Sequence, residues 1–241
     1  MFSSTFGFRG VQFGNWTNDL DRQAALNSTY DALMDLSRVV GKSPRAISLN
    51  GELGLAFGAR GSGSADAHYE PKMVVINLTK TRGGGSVAYE WWHAMDNYFS
   101  RQADVPAGYM TTAKRERVGV RPEVRTAFKS LVEAVVDSPF GKRSARLGTY
   151  WGDNREMTAR LFGEWVGQKL NEKGEYNHFL TTQIREATVA QVRGMNYMLY
   201  GMGRNKEELM SREEFDKLPD SLAGFPYPTA EETKTVGRLL D

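Results

Sequence analysis

The sequence has no cysteine, which excludes disulfide bonds and thiolate-bound metal ions. It has no apolar run near the roughly 20 residues of a membrane-spanning helix, and its first residues lack the basic start and apolar stretch of a signal peptide. The net charge of +2 gives no global indication of a nucleic-acid or membrane partner. These absences predict a cytoplasmic protein that makes no membrane contact.

Histidine is scarce as well, since the 241 residues include only three, His68, His93 and His178. His93 lies in the stretch SVAYEWWHAMDNYF, residues 86–99. With histidine in place of Tyr89, this stretch would contain His-Glu-x-x-His, the helical zinc motif of metallopeptidases. The sequence therefore raises the question of what Tyr89 does to such a site.

Hydrophobic periodicity predicts a mainly helical chain with a small sheet just before this stretch. Apolar residues at helical spacing predict helices at 18–41, 86–102, 123–137 and 153–173, one or two more within 179–204, and a short acidic helix at 206–217. Alternating patterns predict a strand pair at 46–59 that turns at Asn50-Gly51, and a strand at 72–79. Loops are expected at 60–68, 103–122 and 138–152, and in the proline-containing tail.

This order of elements predicts an α+β fold in which a small mixed sheet packs on the motif helix. We expect residues 1–241 to form a single domain. Its expected parts are an N-terminal arm at 1–17, a core at 18–205, and a C-terminal helix and tail at 206–241.

The motif has a physical logic, because residues i and i+4 project from one face of a helix and can hold one metal ion. The residue after the first histidine is a glutamate that takes a proton from the zinc-bound water. His93 therefore stands at the second ligand position, Glu90 at the general-base position, and Tyr89 at the first ligand position.

Four stretches together carry a more specific resemblance: FGFRGVQFGNW, AISLNGELGLAFGARGSGSADAHYEP, VINLTKTRGGGS and YEWWHAMDNYFSRQ. Over residues 5–170 the chain resembles the large polyvalent protein-associated domains of phages and conjugative elements. Those chains resemble zincin-like metallopeptidases and typically carry His-Glu-Trp-Trp-His at this position. The resemblance implies a zincin-like fold, a Zn²⁺ cofactor, and a role inside the host cell in conflict between a mobile element and its host.

The resemblance also implies where the other groups of the site lie. Glu156, near the start of a later helix, matches the carboxylate third ligand of such zincins. Arg160, one turn further on, would orient that carboxylate or bind a substrate oxyanion. Glu164 is a weaker ligand candidate, and His68 is a candidate to line the substrate cleft.

Tyr89 leaves three interpretations open. In the first, the metal site is impaired or empty, because a phenol has an ordinary pKa near ~10 and binds Zn²⁺ well only without its proton. The Tyr89 hydroxyl then forms a hydrogen bond with His93 or Glu156. Alternatively the site works, with Tyr89 as an unusual ligand or with His68 in its place. In the third interpretation the similarity to the motif is accidental.

The implied reaction is peptide-bond hydrolysis, weakened by Tyr89, with a peptide or host protein as substrate or target. The alternative belongs to another class: a non-enzymatic anti-defence module that binds a host protein, or binds DNA through the basic segment 114–146. That segment has nine Lys or Arg against four Asp or Glu, which suits phosphates, although it has few aromatic residues for base stacking.

Each candidate also has a purely structural interpretation. A histidine on an apolar helix is commonly a packed core residue, and a first-turn carboxylate such as Glu156 is favoured by the helix dipole. The Trp91-Trp92 pair is expected to pack in the core, and the basic segment to be a solvated helical face. Convergence of the motif helix and Glu156 on one point would favour a site.

Overall fold

The computed structural model describes residues 2–15, 18–59, 67–78, 85–181 and 226–241. Seven α-helices lie in these ranges: α1 Phe2–Phe6, α2 Asp19–Val39, α3 Val87–Arg101, α4 Pro122–Asp137, α5 Pro139–Arg146, α6 Asn154–Asn171 and α7 Ala230–Val236. Two 3-10 helices lie at Pro44–Ser48 and Gly237–Leu239, and the four strands are β1 Val11–Phe13, β2 Gly54–Phe57, β3 Ala67–Glu70 and β4 Val75–Leu78. The predicted α+β class is confirmed.

The strands form one mixed sheet in the order β1-β2-β4-β3. β1, β2 and β4 are parallel, and β3 is antiparallel to β4. Every residue of the two central strands is buried, as expected when both faces of a parallel sheet are covered. α3 packs across β3 and β4, and the Tyr69 hydroxyl of β3 donates to Asn97 Oδ1 of α3 at 2.7 Å. The sheet therefore supports the motif helix, as predicted.

α3 and α6 form the centre of the fold. Trp91 Nε1 donates to the Ile47 carbonyl at 2.9 Å, and Trp92 Nε1 donates to Thr158 Oγ1 at 3.0 Å. Both indole rings contact the Phe162 ring of α6, with centroids 5.7 Å and 5.0 Å away. The expectation that the tryptophan pair packs in the core is confirmed. Because the two tryptophans pack α3 against α6, the first turns of the two helices lie opposite each other.

The helices with clear periodicity and capping residues are confirmed. α2 begins after Asn18, whose side chain accepts from the Asp21 backbone N–H, and α6 begins after Asp153, whose side chain accepts from the Arg155 backbone N–H. α3 and α4 agree with their predicted ranges to within one residue. No helix among the described residues is both long and apolar enough to span a bilayer.

The predicted strand pair at 46–59 is wrong in its first half. Pro44 begins a 3-10 helix there, because proline lacks an N–H and its fixed φ suits the first position of a helix. Asn50 and Gly51 do turn the chain, with φ angles of 61° and 78°, but into β2, whose partners are β1 and β4.

Three predicted loops contain regular structure instead. The predicted loop at 60–68 runs into β3, and the connection at 138–152 contains α5, which is capped by Ser138. The tail contains α7, whose Thr229 and Glu232 form a reciprocal capping box. The helices predicted beyond residue 181 lie outside the described residues, and the predicted domain divisions stay predictions.

Candidate functional site

The structure brings the three proposed ligand positions together between the first turns of α3 and α6. The Tyr89 hydroxyl donates a short hydrogen bond to Glu156 Oε2. His93 Nε2 lies 3.8 Å from the same oxygen, and the Tyr89 and His93 rings meet edge to face with centroids 4.7 Å apart. Tyr89 and His93 of the motif helix therefore both face one oxygen of Glu156.

Glu156 is buried but remains a stabilised carboxylate. Burial alone would raise its pKa, but His93, the Tyr89 hydroxyl and the Arg155 guanidinium together hold the pKa below its ordinary value. Arg155 Nε donates to the other oxygen, Oε1, at 3.0 Å, and its guanidinium lies over the Tyr109 ring at 4.9 Å. Both oxygens of Glu156 thus have a donor before any metal is considered.

Tyr89 is a neutral phenol in this setting. Burial and the adjacent negative charge of Glu156 raise the pKa of Tyr89 far above its ordinary value. The residue is a donor to the carboxylate, and its conversion to a phenolate ligand would place two anions in contact. Of the three interpretations, the geometry favours the one in which the hydroxyl bonds Glu156.

His93 is a neutral imidazole, because burial lowers its pKa to about 4. Its Nδ1 atom is buried and has no hydrogen-bond partner among the described residues. A zinc-bound histidine usually donates its second ring N–H to a carboxylate or carbonyl, which fixes the tautomer. Among the described residues, none accepts such a hydrogen bond from His93 Nδ1.

Glu90 is buried on α3 and holds its proton more tightly than an ordinary glutamate. Burial, with an added contribution from the charge of Glu156, raises the pKa of Glu90 to about 8, although the Tyr69 backbone N–H donates to the carboxyl and opposes the shift. Glu90 is therefore mostly protonated at neutral pH, whereas a general base must be ionised.

We expect Glu90→Gln to change how stability depends on pH. The folded-state pKa of about 8 lies above the ordinary value of 4.5, so the folded state binds the proton more tightly and wild-type stability falls between those pH values. Urea denaturation should show that the substitution gains on the order of 4 kcal/mol relative to wild type between pH 5 and pH 9. Glu123→Gln, on the exposed start of α4, is the control, and an equal gain there would contradict the assignment.

The donor set does not fit zinc as it stands. Two ligands of a tetrahedral zinc ion lie roughly 3.4 Å apart, given bonds of about 2.0–2.1 Å, so the 3.8 Å between His93 Nε2 and Glu156 Oε2 is nearly suitable. The third position, however, is a protonated phenol bonded to one of those ligands. Within the described ranges, no three His, Asp or Glu side chains are grouped as a metal site would require.

The two candidates for substrate binding, His68 and Arg160, lie in different places. His68 alternates along β3 with Tyr69, whose side chain reaches α3, so His68 projects from the opposite face of the sheet. The structure therefore does not bring His68 to the site. Arg160 lies one turn beyond Glu156, buried, and interacts electrostatically with Tyr89 and Glu156.

Sequence reasoning missed three groups that shape the site. Arg155 pairs with Glu156, and the Tyr150 hydroxyl is also a hydrogen-bond partner of that carboxylate. Asp96 of α3 accepts from the backbone of Met110 and Thr111, which places the neighbouring Tyr109 beside the site. The only sequence signal for Arg155 was its position next to Glu156, and none pointed to Tyr150.

The basic segment 114–146 does not form one continuous cationic surface. Arg143 is buried and pairs with Glu232 of α7 at 2.7 Å, and Arg125 pairs with Glu116. Its exposed cations are distributed over the loop before α4, the start and middle of α4, and α5: Lys114, Arg115, Arg121, Lys129, Lys142 and Arg146.

Residues 142–241 match a family model described as large polyvalent protein-associated domain 1. Neither the comparison with curated proteins nor that with solved structures yielded a match. The matched range includes most of α5 and all of α6 and α7, and with them Glu156 and Arg160, but it leaves out the motif helix α3. Residues 142–241 are therefore similar to a polyvalent protein-associated domain, and the candidate site lies where α3 meets this part of the chain.

Proposed function

We propose that this chain is a zincin-like module of a mobile-element polyvalent protein, in which Tyr89 has disabled the metal site. The observation that carries the proposal is the hydrogen bond from the Tyr89 hydroxyl to Glu156 Oε2, the oxygen that also faces His93. That oxygen is the one a metal ion between α3 and α6 would need. The match of residues 142–241 to a polyvalent protein-associated domain supports the wider assignment.

The module would then retain the shape of a peptidase without its hydrolytic step. Glu90 is largely protonated at neutral pH and so lacks the charge of a general base. Burial lowers the pKa of His93 to about 4, which makes its imidazole a weak base. Its role would be to bind a peptide or host protein in the cytoplasm of the host cell.

Hydrolysis of an unstructured protein such as casein, with zinc in excess, tests this proposal. Wild type should not cleave casein above background, and Tyr89→His should cleave it in a zinc-dependent manner that Glu90→Gln abolishes. Zinc-dependent cleavage by the wild type that is lost in Glu90→Gln would show that the site is not disabled. A Tyr89→His protein that neither binds zinc nor cleaves would exclude the zincin assignment.

A second candidate function, DNA binding, is favoured by one observation. A groove of about 1060 Å³ lies between the loop at 110–117 and α4, and its lining includes Lys114, Arg115 and Arg117. An electrophoretic shift assay should then show binding that survives Glu90→Gln and is lost on charge reversal of Arg121, Arg125 and Lys129. Equal binding by the reversed variant would dismiss this candidate.

A further inference from the structure

Arg160 is a buried cation with unused hydrogen-bonding capacity. The residue is 4% exposed, and its Nη2 donates to the Trp151 backbone carbonyl. Its guanidinium lies over the Trp151 ring at 5.0 Å and the Phe140 ring at 5.6 Å. Its Nε and Nη1 have no hydrogen-bond partner among the described residues.

Arg143 shows how the same fold satisfies a buried guanidinium. It donates to both carboxylate oxygens of Glu232, at 2.7 Å and 2.8 Å, and to the Tyr227 carbonyl at 3.1 Å. Arg160 forms no ion pair with any described carboxylate. Arginine cannot lose its proton in a protein, and an unpaired buried charge is costly. The difference between the two residues therefore indicates that a partner of Arg160 comes from outside the described residues.

A short surface segment, residues 147–152, covers both Arg160 and Glu156. Trp151 in this segment supplies the carbonyl and ring that contact Arg160. Its neighbour Tyr150 is 56% exposed, yet its hydroxyl is a hydrogen-bond partner of Glu156. Gly148, with φ of +113° and open space around its Cα, lets the chain bend where this segment begins. A ligand that moves this segment would therefore reach the guanidinium directly.

We propose that Arg160, under residues 147–152, binds an oxyanion group of a ligand, either a carboxylate or a phosphate. Both present paired oxygens to the N–H groups of a guanidinium, and both place a negative charge in direct contact with it, which no described carboxylate does. The Trp151 carbonyl accepts from Nη2, which leaves the N–H groups of Nε and Nη1 for such a ligand. The site needs no metal, so it stands apart from the proposed effect of Tyr89.

Thermal unfolding of the full chain in sodium phosphate, sodium acetate or sodium chloride, at one ionic strength, tests the proposal. Phosphate or acetate should raise the melting temperature of the wild type above its value in chloride, because a ligand that binds only the folded state stabilises it. Arg160→Met should lose this increase. It should still fold, since replacing a buried unpaired charge with an apolar side chain of similar length is often neutral or stabilising.

Two further variants make the outcome specific. Arg160→Lys keeps the charge but not the guanidinium, and its apparent Kd for the favoured anion should rise at least ~10-fold. The double variant Lys42→Met with Lys173→Met removes exposed cations away from every proposed site and should keep the wild-type response. A stronger effect of phosphate assigns a phosphate group as ligand, and a stronger effect of acetate assigns a carboxylate. Equal melting temperatures in all three salts, or an unchanged response in Arg160→Met, would overturn the proposal.

Discussion

Replacement of Asp96 by alanine should lower the free energy of unfolding by about 4 kcal/mol and the melting temperature by about 10 °C. Asp96 is fully buried in α3. Its carboxyl accepts from the backbone N–H groups of Met110 and Thr111, at 2.6 Å and 3.1 Å, and from the Thr111 hydroxyl. Alanine would leave three buried donors without an acceptor, and each such donor costs about 1–3 kcal/mol.

Asp96→Asn is the matched control for this prediction. Burial raises the pKa of Asp96 to about 7, so near neutral pH the wild-type carboxyl is already partly protonated, and an amide resembles it in shape. The asparagine oxygen can still accept from the two backbone groups, while its amide can donate to the Thr111 hydroxyl. We expect a loss of about 1 kcal/mol or less. Urea denaturation measures both variants, and equal losses would show that these hydrogen bonds are not what Asp96 contributes.

The Asp96 bonds also matter to the candidate site. They hold Met110 and Thr111 against the motif helix, and the preceding Tyr109 then lies under the Arg155 guanidinium. Arg155 in turn donates to Glu156. Loss of the Asp96 hydrogen bonds should therefore disturb the position of Glu156, even though Asp96 does not contact Glu156.

The sequence was sufficient for the elements whose signals are local. The apolar spacing around Trp91 and Trp92 predicted α3, and the capping residues Asp153 or Asn154 predicted the start of α6, where Asp153 is the cap. Both signals depend only on neighbouring residues. The resemblance then placed Glu156 opposite the motif helix. The structure brings Glu156 to Tyr89.

The parts that could not be predicted depend on contacts between residues far apart in the chain. β3 is only four residues long and is held by pairing with β4 and by the bond from Tyr69 to Asn97. α5 has few apolar residues of its own, and its Arg143 is fixed by Glu232, which lies 89 residues later. The position of Glu156 Oε2 between Tyr89 and His93 could not be predicted either. A sequence motif specifies residue types, but it does not specify which atoms come into contact.

Replacement of Tyr89 by histidine should raise the affinity for zinc by more than ~100-fold, since loss of even a supporting contact around a zinc site costs ~10–100-fold. The substitution removes the phenol that now bonds Glu156 Oε2 and supplies an imidazole one turn before His93. Both histidines would be neutral at pH 7 and therefore ready to bind metal. Glu156, whose pKa is held low, would be ready as an anionic third ligand.

Two variants separate this explanation from a general effect of opening the site. Tyr89→Phe removes only the hydroxyl and keeps the ring edge against His93, so it should not gain zinc affinity. Adding His93→Ala to Tyr89→His should return the affinity to the wild-type level. If Tyr89→Phe gained as much as Tyr89→His, relief of the hydrogen bond, and not a restored ligand, would be responsible.

A competition titration with a chromophoric zinc chelator, on wild type and Tyr89→His side by side, tests the central claim most directly. The claim is that Tyr89 occupies the first ligand position and, through its bond to Glu156, keeps zinc out. We predict stoichiometric, tight zinc binding by Tyr89→His and weak, substoichiometric binding by the wild type. Tight stoichiometric binding by the wild type, lost in His93→Ala and no tighter in Tyr89→His, would contradict it.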